Sequence, residues 1–364
     1  MAEPRTGRIR AHLRLWGDYW STFRANRLAV IGLVLLGIFF LMLISHPILM
    51  STLWADKHDI YDPMIGYDAP KTVYTVVEEV TDPLSEIGLF EAQLAGSPFT
   101  KVGDTIEVSQ QPAPPSRAHW LGTDPLGRDV LSMLLAGARP TFVVGLMAAL
   151  TTAVVGIAYA SVQAVVGGRV DGFLGRISDM LLLFPAPLAM IVLGAGTFGA
   201  LLTPFRFGLI YGLLAGASTT AIVLRSHALT VMSRQFIDAA KVSGARRYHL
   251  MVRHVVPHLI PLAAVSMLTA VVGAVVANGF ASYMSFGNDL VNWGAMIFIG
   301  VELLEALAPT AWTVLLSGSI AISLFCASFY MISLGVRDIA HPRRRVVRGG
   351  ALVVPSKQPG TELA

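Results

Sequence analysis

The sequence holds one cysteine, Cys326, inside an apolar stretch, so no disulfide can close within the chain, and any part outside a membrane must hold together without one. Charge is scarce too. Only 14% of the 364 residues are Asp, Glu, Lys or Arg, where a soluble domain carries about 25% to keep its surface wet. That scarcity excludes an ordinary water-soluble domain. No Gly-x-x-x-x-Gly-Lys-Ser/Thr run is present, which excludes a phosphate loop in this chain. There is no His-Glu-x-x-His, Gly-x-Ser-x-Gly or paired-cysteine motif either, so no catalytic site, metal site or cofactor is expected. The nine histidines are scattered, and His249, His254 and His258 read as interfacial caps rather than ligands. No Ala-x-Ala-like site follows the first apolar run, which opens at Leu28, so this run reads as a signal anchor that stays in place.

What the sequence has in quantity is apolar residues, 54% of the chain with a mean hydropathy of +0.63. They arrive in blocks long enough to cross a bilayer, which takes about 20 residues at 1.5 Å each. Six such blocks fall near Leu28–Ser45, Thr141–Val166, Met180–Leu202, Phe207–Leu224, Leu259–Phe280 and Ala311–Gly335, with room for a re-entrant element around Ala281–Phe298. In lipid each backbone N–H and C=O must be satisfied within its own segment, so these blocks are predicted to be helices. The predicted fold is an all-α polytopic membrane protein.

The basic residues are segregated. Arg5, Arg8, Arg10, Arg14, Arg24 and Arg27 precede the first span. Arg225, Arg234, Lys241, Arg246, Arg247 and Arg253 lie between the fourth and fifth. Arg337, Arg343, Arg344, Arg345, Arg348 and Lys357 follow the sixth. With six spans all three groups fall on one side, which the positive-inside rule makes the cytoplasm. The turn at Gly167–Arg176 agrees, and the opposite turn, Asn288–Glu305, has Asp289, Glu302 and Glu305 but no Lys or Arg. The basic tails read as topogenic signals and anionic-lipid contacts, so membrane lipid is an expected partner and nucleic acid is not.

Helices approach closely in lipid where side chains are small. Gly208, Gly212 and Gly216 line one face of the fourth span, and Gly145, Ala149 and Ala153, then Gly156, Ala160, Ala164 and Gly168, line successive faces of the second; static close packing is the preferred reading. Pro185 and Pro187 should bend the third span or mark its entry. Asp179 and Arg225 sit near span ends, within snorkelling reach of the interface.

Between the first two spans, Trp54–Pro70 reads as loop, Lys71–Gln110 carries short strand-like runs at Thr72–Val77 and Thr105–Val108, and Gln111–Ser116 is a Pro-rich linker. In the stretch His119–Arg139, Asp124 followed by Pro125 predicts a helix start. Leu126, Val130, Leu134, Leu131 and Leu135 give it one apolar stripe, as for a helix lying at the outer surface. Arg128 and Asp129 are expected to form a local ion pair.

The most informative region is Arg234–Pro261. Asp238-Ala239-Ala240, then Gly244, then Pro257 predict two short helices joined at a glycine suited to the left-handed conformation. Tyr248, Met251, Val252 and Val255 fall on one face of the second helix, and Arg246, His249 and Arg253 on another. Such a pair offers a docking knob.

This run resembles the EAA loop of bacterial ABC-transporter permeases with the type I importer fold: EAA, three residues, G, nine residues, I-x-L-P. Here the positions are Asp238, Ala239, Ala240, Gly244, His254, Val256 and Pro257. Asp238 is one methylene shorter than the usual Glu. The runs GTDPLGRDVLSMLLAGAR (Gly122–Arg139), RISDMLLLFPAPL (Arg176–Leu188), NWGAMI (Asn292–Ile297) and GVRDIAHPR (Gly335–Arg343) are similar to the C-type permease of dipeptide/oligopeptide importers. The resemblance covers nearly all of residues 20–345.

The resemblance implies six transmembrane helices with a small extracytoplasmic α/β insertion. It divides the chain into a basic tail (1–27), a first span (28–45), the insertion (46–139), a permease core (140–336) with its coupling loop (233–258), and a tail (337–364). It also implies a non-catalytic subunit paired with a B-type permease in a heterodimer, two cytoplasmic ATPase subunits docked on the EAA loops, and an extracytoplasmic solute-binding protein. Asp238, Ala239, Ala240, Gly244, Ala245, Tyr248 and Pro257 would couple to the ATPases. Asp124, Arg128, Asp129, Asp179 and Asn278 are structural or gating candidates, Asn278 standing where the family commonly has an acid. The expected localisation is a bacterial or archaeal plasma membrane with both termini cytoplasmic. Peptides are the expected cargo, with nickel chelates or oligosaccharides as alternatives. An ion-coupled secondary transporter would need half-helices with midplane carboxylates, and no carboxylate sits mid-span. A membrane-anchored enzyme or receptor centred on His46–Ser116 lacks a recognisable catalytic constellation and would not need six spans.

Overall fold

The structure, a computed structural model, describes residues 20–63, 71–82, 85–95, 99–109, 112–183, 185–195, 202–284, 291–305, 308 and 311–340. Residues 1–19 and 341–364, which hold most of the basic tails, and Asp289 lie outside the described residues.

Among the described residues, five helical stretches are long and apolar enough to cross a bilayer, and a bent pair, taken as one span, makes a sixth. The first is α1 (Arg27–Ser51), after which α2 (His58–Tyr61) is a single turn. The insertion holds β1 (Lys71–Val77), β2 (Glu86–Gly88), α3 (Leu89–Ala95) and β3 (Thr105–Ser109). β1 is central, antiparallel to β3 with Tyr74 opposite Ile106 and parallel to β2 with Thr75 opposite Glu86. Both predicted strand runs are therefore strands. Only Tyr74, Val76, Ala92 and Thr100 are buried there among the described side chains, as suits so small a layer. The Glu86 carboxylate closes the preceding turn: hydrogen bonds from the Asp82 backbone and from the hydroxyl and backbone of Thr81 hold its pKa below the usual carboxylate range.

The second span is α4 (Val130–Ala136) running into α5 (Ala138–Val166). A pair of glycines at positive φ, Gly167 (64°) and Gly168 (56°), then turns the chain into α6 (Gly168–Leu183). The expected turn at Gly167–Arg176 is thus helical from Gly168 onward, an amphipathic segment with only Ser178 buried. It bends by more than 40° into α7 (Ala186–Ala195) at Pro185. Proline lacks the N–H an unbroken helix needs and its ring blocks the preceding turn, so the third span is broken where Pro185 and Pro187 predicted.

The fourth span joins α8 (Pro204–Ala215), a π-helical turn at Gly216–Thr220 and α9 (Ala221–Met232). The glycine face is used as predicted. A Cβ on Gly208 would lie 2.5 Å from the Val144 carbonyl, one on Gly212 2.6 Å from Thr151 Cβ, and one on Gly216 2.8 Å from Val155 Cβ, all on α5. After the short α10 (Gln235–Val242) the fifth span runs unbroken in helical form: α11 (Arg247–Leu250), a π turn at Met251–Val255 and α12 (Val256–Met284). α13 (Trp293–Glu305) has 13 residues and covers about 20 Å, too short to cross a core of about 30 Å. A short helix therefore stands between the fifth and last spans, overlapping the expected re-entrant stretch Ala281–Phe298 but displaced from it. α14 (Ala311–Ala340) is the last span.

The main core forms where α13 wedges between α1, α4, α12 and α14. Trp293 is 1% exposed, meets Phe39 at a tilt and Phe325 edge-on, and donates its indole N–H to the Leu134 carbonyl (2.8 Å). Asn292 caps the wedge, accepting from the Ala295 N–H (2.9 Å) while its amide donates to Ser282 Oγ (2.8 Å). Gly294 lies directly on the backbone of Gly279, and Gly300 on Leu315. At the opposite end Asn26 donates to Asp338 (2.8 Å), tying the start of α1 to the end of α14, so both terminal segments leave the bundle on one side.

Gly294→Ala would drive a methyl into the Gly279 backbone, which cannot yield as a side-chain tip can. Overpacking of this kind costs about 1–3 kcal/mol, so Gly294→Ala is expected to lower the melting temperature of the detergent-purified protein. Gly37→Ala, where a Cβ meets nothing within 4 Å, should leave it level or raise it by the gain in helix propensity.

Candidate functional site

Two clusters contain most of the predicted site residues, one at each end of the bundle. At the end shared by both terminal segments, α10 projects between the fourth and fifth spans. Ile237 is its one buried residue and fastens it to the bundle. Asp238, Ala239, Val242 and Gly244 are exposed, and Ala240 and Ala245 are half-buried. The helix ends in a Schellman turn: Ala245 N–H donates to the Ala240 carbonyl and Gly244 N–H to that of Lys241, both at 3.0 Å, with Gly244 at φ 81°. The glycine joint is thus as predicted, with its end carbonyls satisfied internally. Nothing lies within 4 Å of a Cβ built on Gly244, so the requirement for glycine there is conformational.

Beyond the joint the expected second short helix is corrected, because the chain resumes helix at Arg247 and stays helical to Met284. Pro257 lies in the first turn of α12 and ends nothing. The π turn just before it widens the helix where the proline ring and missing N–H would otherwise conflict with a regular α-helix. The extra residue in that turn also shifts the helical faces. Leu250 and Val255 are buried, whereas Tyr248 is 72% exposed and Val252 44%, so the expected single face of Tyr248, Met251, Val252 and Val255 is split. His254 and His258 both contact the Phe236 ring at 5.9 Å, and His258 Nδ1 donates to the His254 carbonyl (2.6 Å).

The surface formed is chemically distinct. Asp238 is the acidic residue of the hairpin and is matched by Lys241 (3.0 Å). Around that pair stand Arg234, Arg246, Arg247 and Arg253, all exposed, with Val242 (90% exposed) and Tyr248 as bare apolar ground. An exposed apolar patch within a charged rim is an interaction surface.

At the other end, Asp124, Arg128 and Asp129 form a buried polar knot with His119. Asp124 does not start a helix. Its carboxylate accepts from the N–H groups of Leu126 (3.0 Å) and Arg128 (2.8 Å) and pairs with the Arg128 guanidinium (2.6 Å). Gly127 at φ 78° turns the chain back, which a helix from Pro125 could not do. Asp129 is the true cap of α4, accepting from Ser132 N–H (2.7 Å), and its second oxygen faces His119 Nδ1 (2.9 Å). The expected Arg128–Asp129 pair is therefore replaced by Asp124–Arg128 and His119–Asp129, because neighbours in a turn point apart. Asn278 is half-buried near the far end of α12, beside the Gly279–Gly294 contact.

Sequence reasoning missed Asp171. Arg225 does not simply snorkel. Its Nε and Nη2 donate to the two oxygens of Asp171 on α6, each at 2.6 Å, and the exposed Asp179 adds a second carboxylate whose charge acts on it. Opposite charges beside two predicted spans were the available signal. Among the described residues no group of His, Cys, Asp and Glu is arranged to hold a metal.

Comparison with known proteins fits this architecture. Residues 153–346 match the family described as binding-protein-dependent transport system inner membrane component, and residues 14–70 match the N-terminal TM domain of oligopeptide transport permease C. The chain is 27% identical over 340 residues to the oligopeptide transport system permease protein OppC of Bacillus subtilis (strain 168), covering 92% of this chain and 91% of that one. It is 33% identical over 232 residues to the OppC of Escherichia coli (strain K12), covering 62% and 73%. To the dipeptide transport system permease protein DppC of Bacillus subtilis (strain 168) it is 29% identical over 257 residues, covering 68% and 76%. The chain belongs to the family of binding-protein-dependent transport system inner membrane components, as a membrane-spanning permease of the ABC-importer type.

Proposed function

We propose that this chain forms half of a peptide translocation pathway and is driven by ATPase subunits that grip the hairpin at residues 233–258. The observation that carries this reading is the state of the hairpin. Its backbone is satisfied by its own Schellman turn, yet its apolar and cationic side chains are left bare. A loop that needed only to connect two spans would not expose Val242 and Tyr248 to water.

Asp238, Ala239, Ala240, Gly244, Ala245 and Tyr248 supply the contact surface, and Pro257 with the preceding π turn sets how the hairpin joins the fifth span. Residues 140–336 are the working core, paired with a B-type permease to complete the pathway. The insertion at 46–139 faces a solute-binding protein, and its polar knot fixes the entry to the second span. Two ATPase subunits hydrolyse ATP, so the chain itself is non-catalytic. The hairpin and both termini lie in the cytoplasm of a prokaryotic cell, against anionic lipid, a reading supported by the basic residues beside the spans. Peptide cargo is supported by the relatives, whose names specify oligopeptide and dipeptide transport.

Co-purification tests the docking. Gly244→Val places a β-branched residue at φ 81°, where even an ordinary L-residue costs about 1–2 kcal/mol, and Asp238→Lys reverses the one negative charge. Each is expected to reduce ATPase recovery with the detergent-solubilised complex about tenfold, with the permease pair still assembled. Full recovery of the ATPase and of transport in both variants would remove the docking assignment.

Topology has its own check. In a Cys326→Ala background, single cysteines at Ser233 and Lys101 are expected to react with impermeant maleimide from opposite faces of the membrane. Labelling of both from one face would overturn the orientation.

A further inference from the structure

α6 is held in an unusual way. It is entered through two consecutive glycines at positive φ, 64° and 56°, and left through a bend of more than 40° at Pro185. It buries one side chain, Ser178. Its polar attachments run to the fourth span. Ser178 Oγ donates to the Ala217 carbonyl (2.7 Å) inside the π turn, and Asp171 receives the two-pronged contact from Arg225 on α9. A fork of two parallel charge-assisted bonds fixes orientation as well as distance.

The span that holds it is itself jointed. Helical geometry fails at Ser218 (φ −99°, ψ −107°), within the π turn, and that turn rests on Gly156 of α5, where a Cβ would meet Thr220 Cγ2 at 2.6 Å. α9 runs as a regular helix from this joint to Met232 and delivers the chain to α10. Arg225 is therefore on the rigid arm between joint and hairpin. The second π turn, at Met251–Val255, breaks the regular helix on the far side of the hairpin.

A third observation concerns what α6 leaves unsatisfied. Gln163 on α5 is 1% exposed, and among the described residues neither its amide nitrogen nor its oxygen has a hydrogen-bond partner; a Cβ on Gly175 of α6 would lie 4.0 Å from that nitrogen. A buried carboxamide with both ends unpaired is costly in a single fixed arrangement and calls for an explanation. A shift of α6 along α5 would bring polar backbone or side-chain groups past it.

We propose that Asp171 and Arg225 are positioning residues for transport: their fork clips α6 to α9, so that a displacement of α10 turns α9 about the Gly216–Thr220 joint and carries α6 with it. The proposal rests on the reading of α10 as the ATPase handle. It assigns α6 the part of a driven segment, and Gln163 the part of a group satisfied in the displaced state.

The test uses the assembled complex in lipid nanodiscs, with spin labels at Arg176 on α6 and Val154 on α5 in a Cys326→Ala background, compared with and without ATP and vanadate. In the otherwise unaltered complex the inter-label distance is expected to change by about 2 Å or more. Asp171→Asn and Arg225→Gln should each abolish the change while ATPase subunits and trapped nucleotide are retained. The swap Asp171→Arg with Arg225→Asp should restore it. In proteoliposomes loaded with ATP, uptake of a radiolabelled pentapeptide mixture per ATP hydrolysed should fall about tenfold in the single variants and recover in the swap. An α6 that moves equally in the single variants, an α6 that never moves, or a swap that restores nothing would overturn the proposal alone. A complex that assembles without any ATPase would remove the docking reading and this proposal together.

Discussion

Lipid tails are as apolar as leucine, so two apolar helices gain nothing from the hydrophobic effect by leaving lipid for each other. What remains is van der Waals contact at short range and the few hydrogen bonds that reach between helices. Both depend on backbone approach, and here it occurs at glycine. Gly208, Gly212 and Gly216 seat the fourth span on the second, Gly145 admits Val271 from the fifth, and Gly294 and Gly300 bring the short helix α13 onto α12 and α14. With the backbones so close, one large residue at the junction fills much of the remaining space. Trp293 does this, meeting Phe39 and Phe325 and spending its one polar atom on Leu134. The wedge holds because its neighbours are small.

The same condition limits where the helices can be broken. In lipid a freed carbonyl or N–H has no water to turn to, so each break must bring its own compensation. The π turn at Gly216–Thr220 has Ser178 donating to the Ala217 carbonyl. The cap of α13 uses both ends of the Asn292 amide. The turn before α4 takes two N–H groups onto Asp124 and one onto Asp129. Polar side chains serve these interruptions, whereas those inside the helical stretches, such as Ser328 and Ser333, turn back onto carbonyls of their own helix.

This distribution explains what could be read from residues alone. Span positions, the two strand runs, the glycine joint at Gly244 and the break at Pro185 each follow from a local property: hydropathy over twenty residues, alternation, conformational freedom, a missing N–H. The misreadings share a different cause. Asp124-Pro125 has the local chemistry of a helix start, but Gly127 and the pull of Arg128 override it, and Asp129 five residues on takes the cap. Tyr248 and Val255 were placed on one face by a period of 3.6 that a π turn interrupts, and π turns leave no mark in hydropathy. Arg225 was given to the interface because its partner, Asp171, lies 54 residues away in sequence. Local rules carried the elements, and tertiary pairing decided which polar groups met.

The hairpin at residues 233–258 inverts the logic of the rest of the molecule. Elsewhere, Gln163 apart, buried polar side chains among the described residues are satisfied and backbones are pressed together. In α10 the backbone is satisfied and the side chains are offered. That arrangement suits a part that must be held firmly by another protein while keeping its own shape, since a handle that deformed under load would absorb the displacement it is meant to transmit. The Schellman turn supplies the stiffness without burying surface, because it closes the helix end with two backbone hydrogen bonds and needs only a glycine. The joints sit apart from the grip, at Gly216–Thr220 and Met251–Val255. Under the proposed docking, separating grip from joint would let a force applied at the eight residues of α10 reorganise helices several turns away.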